Sequence, residues 1–398
     1  MKRALSIILV PLVIFFMSNC KGPTSKEVSI DKTPKPIPTV DALPIKVIHP
    51  KNNPPSEAKE TLGKLLFYDP ILSGNKDVSC ATCHHPDMGY AEFLDISMGT
   101  NAKGLGSNRK FNQPNDIPFV KRNAQTILNT AFNGLEVHKP YVPEDATMFW
   151  DDRTKSLEKQ ALEPIKALEE MRGRNFKEGE ILEVVIERLR NIPEYQTLFA
   201  DAFNEPESVT IENLGRAIAT FERTLVTNNS RFDQYIRGDS KAISIGEKDG
   251  FELFKKVGCI NCHSGPMFSD YKMHVLGVPE NPKLPQIDFG AADIGSKDSF
   301  AFRTPTLRNL RFTAPYMHNG NFMSLRRVLE FYEDISNNVQ RNPNVNRSQF
   351  DPLVRELRLS IKEIAPIISF LNTLNDTEFD KSIPENVPSG LPVGGLIN

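Results

Sequence analysis

Two short runs in this chain carry chemistry before any fold is considered. Cys80-Ala-Thr-Cys83-His84 and Cys259-Ile-Asn-Cys262-His263 each hold two thiols with two residues between them and an imidazole directly after. A Cys-x-x-Cys-His run is the attachment signal of c-type haem. Two thiols at that spacing reach one porphyrin edge and add across its vinyl groups. The adjacent histidine turns under the ring to ligate iron. A zinc site built on two Cys-x-x-Cys pairs would need no histidine after each. A thioredoxin-like pair would need a βαβ setting, which the surrounding sequence lacks. The chain has five cysteines, an odd number that a framework of disulfides alone cannot use up. Four belong to the two motifs, so two covalent haems are the expected cofactors.

What fills the remaining iron positions decides between electron transfer and catalysis. An iron closed on both sides passes electrons, and one with an open side can bind peroxide. His84 and His263 take one side each. Only five other histidines exist (His49, His85, His138, His274, His318), so distal ligands are scarce. Met88 and Met267 each stand four residues after a motif histidine and are expected to pack beside the ring rather than ligate.

The elements that must position these residues are helical. Val78–Met88 parallels Val257–Met267, and each run follows a stretch with helical spacing and aromatics (Leu62–Tyr68, Phe251–Val257). Further helical patterns cover 154–171, 178–191, 193–204, 210–226, 245–257, 323–335 and 360–374, separated by Pro/Gly/Asn-rich loops. The expected architecture is mostly α, with two cytochrome c-like domains and long loops. One spans 56–235 with the first haem and the other 236–376 with the second, followed by a tail at 377–398. Loops this long are uncommon unless something orders them, and a large cofactor can.

The N-terminus sets the compartment. Lys2 and Arg3 precede an apolar run from Ala4 to Met17, interrupted by Pro11, which reads as an export signal. It closes on Met17-Ser18-Asn19-Cys20, which resembles a bacterial lipoprotein processing site, although Asn19 departs from the usual Gly or Ala. Residues 1–20 are thus the expected signal peptide and Cys20 the lipidation site. Residues 21–55, rich in proline, are the expected tether. The location is then the periplasmic side of the envelope, lipid-anchored to a membrane. Across 398 residues, 48 Lys+Arg face 50 Asp+Glu, for a net charge of −2. That balance excludes nucleic acid as the expected partner.

Several segments around the motifs resemble the bacterial dihaem cytochrome c peroxidase and MauG family. Leu62-Gly-Lys-Leu-Leu-Phe-Tyr-Asp-Pro-Ile-Leu-Ser-Gly74 is similar to its lead-in helix and turn. Phe149-Trp150-Asp-Asp-Arg153 with Ser156-Leu-Glu-Lys-Gln160-Ala-Leu-Glu-Pro164 is similar to its central segment. Phe302-Arg-Thr-Pro-Thr-Leu-Arg-Asn309 and Thr313-Ala-Pro-Tyr-Met-His318-Asn-Gly320 match its second-domain segment. The family order is kept from residue 57 to 375. Asp152 stands where the family has Gly, and 134–147 reads as an insertion.

The resemblance implies roles residue by residue. Cys80, Cys83 and His84 would hold the peroxide-reactive haem, and Cys259, Cys262 and His263 the haem that receives electrons. Trp150, the only tryptophan, would relay electrons between them. Gln160 and Glu170 would line the open face of the first haem. Glu170 would move a proton between the peroxide oxygens and Gln160 would orient the substrate. Asn129, Thr313 and Pro315 match calcium-binding positions, the last two through backbone oxygen.

Two departures sort the chain within that family. The peroxidase branch carries a capping histidine after the first motif. Here the corresponding region is Met98–Ala102, and no histidine occurs from 86 to 137. The first haem is then expected to be open without prior reduction, unless His138 caps it. The peroxidase branch also supplies a methionine where Tyr332 stands, and MauG-type proteins have tyrosine there. Tyr332 is therefore the expected distal ligand of the second iron, with Met317 and Met323 as alternatives. The expected function is reduction of hydrogen peroxide, with electrons from a small cytochrome c or copper protein. Oxidation of side chains on a partner protein, and electron transfer or haem sensing without turnover, are the other readings.

Overall fold

The computed structural model describes residues 38–137 and 139–397. Cys20, the leader and His138 lie outside the described residues. In chain order the helices are α1 Glu57–Tyr68, α2 Cys80–Cys83, α3 Leu157–Gln160, α4 Glu163–Lys166, α5 Ile181–Arg190 and α6 Pro193–Phe203. They continue as α7 Ile211–Glu222, α8 Arg231–Ile236, α9 Ile245–Lys256, α10 Leu325–Ser336, α11 Pro352–Arg355 and α12 Ile361–Leu371. Three two-stranded antiparallel ribbons join the loops: β1 Ala102–Lys103 with β2 Lys110–Phe111, β3 Thr147–Met148 with β4 Thr154–Lys155, and β5 Met273–Val275 with β6 Ala301–Arg303. In the last, Met273 faces Arg303 and Val275 faces Ala301.

Each half is built on a helix crossing at a glycine. Ser56 caps α1 by accepting from the Lys59 amide, and Thr210 caps α7 by accepting from Asn213. Their apolar faces, Leu62, Leu66 and Phe67 against Leu214, Ile218 and Phe221, form the first core. The crossing is close because a Cβ on Gly63 would stand 2.0 Å from the Ala217 carbonyl oxygen. In the second half α9 crosses α12 in the same way. A Cβ on Gly250 would stand 2.2 Å from the Pro366 carbonyl oxygen. An aromatic cluster fills that core, with Phe251 and Phe254 at 4.9 and 5.1 Å from Phe370 between ring centroids. Both Cys pairs follow the first helix of such a crossing, so the crossing fixes where each motif begins.

Three expectations need correction. The pattern at 154–171 is not one helix. Pro164 has no N–H to give to the Gln160 carbonyl, and the stretch divides into α3, α4 and one π-helical turn, Leu168–Arg172, closed by Gly173 at φ 68°. The described part of the expected tether, residues 38–55, is folded onto the body. The Leu43 amide donates to Asp233 Oδ1 at 2.9 Å and buried Asn53 donates to the Arg216 carbonyl at 3.0 Å. The tail after 376 is also a built part of the first half. Ser389 Oγ donates to Asp69 Oδ1 (2.6 Å), Gly394 N to the Tyr68 carbonyl (2.8 Å) and Leu396 N to the Asp77 carbonyl (2.9 Å), while Val387 enters the first core. From Pro38 onward the chain forms one compact unit.

Candidate functional site

Both motifs form a single helical turn, α at Cys80–Cys83 and 3-10 at Cys259–Asn261. α2 is one turn long, and Thr82 inside it accepts from the Ser79 amide (2.9 Å) and donates to the Gly394 carbonyl (2.8 Å). His84 Nδ1 donates to the Tyr90 carbonyl at 3.0 Å, and His263 Nδ1 donates to the Phe268 carbonyl at 2.9 Å. A carbonyl can only accept, so the proton sits on Nδ1 and Nε2 keeps its lone pair for a metal. Burial lowers the pKa of both imidazoles, which keeps them neutral. Tyr90 and Phe268 both adopt left-handed backbone, φ 54° and 52°, to turn their carbonyls back.

A second repeat, missed from the sequence, extends this symmetry. Thr126 Oγ1 donates to the Gly89 carbonyl and Thr306 Oγ1 to the Met267 carbonyl, each at 2.6 Å. Three residues on, Asn129 and Asn309 are both left-handed, φ 65° and 60°. Both side chains donate to the hydroxyl of Thr227, at 2.5 and 2.7 Å. The signal was present as Thr126-x-x-Asn129-x-x-Phe132 and Thr306-x-x-Asn309-x-x-Phe312.

Both motifs line one cavity of ≈ 740 Å³, with Cys80, Cys83 and His84 in the first half and Cys259, Cys262 and His263 in the second. Burial pushes the Cys80 and Cys259 thiols up to about 12. Ile127, Leu128 and Ile218 line the first part, and Phe254, Leu329 and Leu357 the second. The donor set and the apolar walls fit a c-type haem in each half. One further group, Cys262, Asp270 and His274, brings potential ligand atoms within 4.8 Å of one another. It is not a separate metal centre, because Cys262 belongs to the motif and both His274 nitrogens are occupied, by Asp270 (3.0 Å) and Asp351 (2.8 Å).

Glu170 sits in the π turn and lines the cavity. Burial pushes its carboxyl up to about 7, the neighbouring Glu169 adds to this, and Arg153 opposes it. Gln160, the last residue of α3, lines the same cavity. The segment Met98–Ala102 braces the π turn. The Thr100 amide donates to the Glu170 carbonyl at 2.9 Å, and a Cβ on Gly99 would stand 2.2 Å from both the Glu169 and Glu170 carbonyl oxygens. Trp150 lies in the wall where the halves meet. Its Nε1 donates to the Asn123 carbonyl (2.9 Å) and its carbonyl accepts from the Arg303 amide (2.7 Å). His318 stands edge-on to it at 6.5 Å and stacks on Phe302 at 3.6 Å. Burial drives His318 down to about 3, so it is neutral at physiological pH.

Tyr332 projects from α10 into the cavity beside Cys259 and Cys262, and burial raises its phenol well above the ordinary range. Met323 is 59% exposed and is removed as a rival ligand, whereas Met317 lines the cavity. Of the expected calcium positions, Thr313 and Pro315 line the cavity. Asn129 is engaged elsewhere, its Oδ1 accepting from the Thr227 amide at 2.7 Å. His85 is buried and caps a turn by accepting from the Asp87 amide. Glu222, at the end of α7, was not foreseen. It lines the cavity near Cys80, its Oε2 has no hydrogen-bond partner, and burial pushes it up to about 8. Arg122 was also missed. It ties the halves by donating to Asp151 (2.5 Å) and Asp288 (2.7 Å).

Residues 57–241 match the family model described as di-haem cytochrome c peroxidase. The chain is 35% identical to the methylamine utilization protein MauG of Methylorubrum extorquens, over 86% of this chain and 85% of that protein. It is 33% identical to the cytochrome c551 peroxidase of Nitrosomonas europaea, over 87% of each. Among solved structures it resembles a MauG-like protein associated with microbial copper homeostasis, with a TM-score of 0.66 and 26% identity over 87% of this chain and 95% of that one. With both halves, both motifs and the shared cavity covered by these matches, the chain belongs to the dihaem cytochrome c peroxidase and MauG family and is an oxidoreductase of the peroxidase type.

Proposed function

We propose that hydrogen peroxide is reduced in the first half of the cavity with electrons received through the second. One observation carries this reading: an unpaired carboxyl, Glu170, held near neutrality by burial in the same cavity as two Cys-x-x-Cys-His motifs. Each motif would hold one haem through its two sulfurs and its histidine Nε2. When bound, these groups supply a metal position for peroxide and a store of electrons. The rest of the work falls to the chain. Glu170, ionised, takes the proton from the near peroxide oxygen and, now protonated, returns it to the far one, as a general base and then acid. The Gln160 amide orients the substrate. The balance is one peroxide, two electrons and two protons giving two waters. Trp150 would provide an aromatic step between the halves, and Tyr332 would hold the second metal from the cavity side. The donor is a small cytochrome c or copper protein.

The test is a peroxide titration of the oxidised protein, followed by visible and electron paramagnetic resonance spectra. One high-spin and one low-spin haem, with immediate reaction, is the expected result. Two low-spin haems inert to peroxide would refute it and would favour electron transfer or sensing without turnover. A second reading, oxidation of side chains on a partner protein, is favoured by Tyr332 in place of methionine and by the histidine-free stretch 86–137. Mass spectrometry of candidate partners after peroxide treatment separates it from simple peroxide reduction.

Two further assignments belong to this reading. Export to the periplasmic side with lipid on Cys20 follows from the leader, and Cys20→Ser should release the protein from the membrane fraction. A calcium ion at Thr313 and Pro315 follows from the family pattern, with Asn129 Oδ1 already taken by the Thr227 amide. It predicts chelator-sensitive spectra.

A further inference from the structure

We propose that the outer face of the second half, formed by the end of α9, residues 352–359 and the start of α12, is a docking surface for an acidic redox protein. The proposal rests on the reading that electrons enter through the second haem.

The face is the reverse side of the cavity wall. Leu353, Val354, Leu357 and Leu359 line the cavity beside Gly258 and Cys259. Between them, Arg355, Glu356 and Arg358 are exposed. The Arg358 amide donates to the Val257 carbonyl at 3.2 Å, and Leu357 Cδ2 stands 3.4 Å from where a Gly258 Cβ would be. The cationic strip therefore lies against the residues that lead directly into Cys259. Cys259 would hold the second haem, so a redox partner seated on this strip lies against the segment that would carry that cofactor.

The charges are arranged for an anionic visitor. Lys256 ends α9 and Lys362 lies in the first turn of α12, both exposed, with Ile361 59% exposed beside Lys362. Neighbouring Lys255 is paired with Glu252 at 2.7 Å, and Glu363 is occupied in capping Ser360 at 2.8 Å. Among the described residues, no ion pair takes up Lys256, Arg355, Arg358 or Lys362, and these four cations outnumber the two carboxylates without an ion pair, Glu356 and Glu363. The Arg358 guanidinium is held outside the cavity by the Arg355 and Leu357 carbonyls, at 3.1 and 2.7 Å. A chain of net charge −2 thus gathers a local cationic excess around an exposed apolar side chain, against the segment that leads into Cys259. Complementary charge raises association rate and orients the encounter, and salt screens both.

The test uses the haem-loaded protein and two reduced probes, an acidic plant plastocyanin and a basic mitochondrial cytochrome c. Stopped-flow oxidation of each reduced probe by the haem-loaded protein with peroxide is followed at low and high salt, and calorimetric binding of zinc-substituted plastocyanin provides a measure without turnover. Reduction by the acidic probe should be faster by about tenfold at low salt and fall as salt rises. The double charge reversal Lys256→Glu/Arg358→Glu should reverse the preference and abolish calorimetric binding. Lys110→Glu, on β2, should change neither. Equal rates for the two probes, or insensitivity to the double reversal, would overturn the docking surface. Normal peroxide reduction with a small neutral reductant in the double variant shows that the fold and the peroxidase reading stand apart from that result.

Discussion

Glu170 and Glu222 share one physical cause, since both carboxyls are pushed up mainly by burial, to about 7 and about 8. Their surroundings separate their uses. Glu170 lies in a turn braced by Gly99 and Thr100, and a group poised near neutrality can both take and return a proton. Glu170→Gln should slow the reaction with peroxide by about 10²–10⁴-fold. It should also remove a pH limb near 7 on which the wild-type rate rises as the carboxyl ionises. Stopped-flow rates across pH check both, and an unchanged limb would assign it to another group. Tyr332→Phe should alter the low-spin haem spectrum. A sulfur-to-iron charge-transfer band in the wild type would instead make Met317 the ligand. At this scale the sequence was most legible where chemistry demands covalent spacing, as in the Cys-x-x-Cys-His runs. It was least legible at Glu222, because a single glutamate on a helix carries no mark of the direction in which it points.

At the level of elements, the two glycine crossings carry the fold. Gly63→Ala and Gly250→Ala each force a methyl onto a carbonyl oxygen, at 2.0 and 2.2 Å, and neither helix can shift without moving the Cys pair behind it. Each should cost about 1–3 kcal/mol, read as a lowered denaturation midpoint. Gly179→Ala meets nothing within 4 Å and should leave the midpoint near that of wild type. The helices over 62–68, 210–226, 245–257 and 360–374 were legible because apolar residues recur there at helical spacing. The π turn was not. A proline is as acceptable in the first turn of a new helix as at the end of an old one, and Pro164 gave no sign of which. The Thr126/Thr306 repeat was overlooked because short polar residues in loops read as turn formers, whereas here their hydrogen bonds build the turn behind each motif histidine.

For the whole molecule, Glu92, Glu170 and Glu222 are raised from 4.5 to about 7, 7 and 8, each chiefly by burial. The folded chain therefore holds protons that the unfolded chain releases above about pH 4.5. Their contribution to stability is full below that pH and is lost as pH rises toward 8. Denaturant midpoints measured from pH 5 to 8 should fall, and Glu222→Gln should flatten the slope. The recurrence of one Cys-x-x-Cys-His turn behind each of two aromatic helices was legible from the motif repeat. The folding of residues 38–55 and 377–397 onto the body was not, because backbone amides and carbonyls make many of those contacts and composition does not record them.

The Thr82–Gly394 and Leu396–Asp77 hydrogen bonds join the first motif to residues near the C-terminus. Thr82, inside the first motif, therefore depends on a partner 312 residues away. Cutting residues 394–396 should loosen the Cys80–His84 turn itself, and not merely fray the segment that is removed.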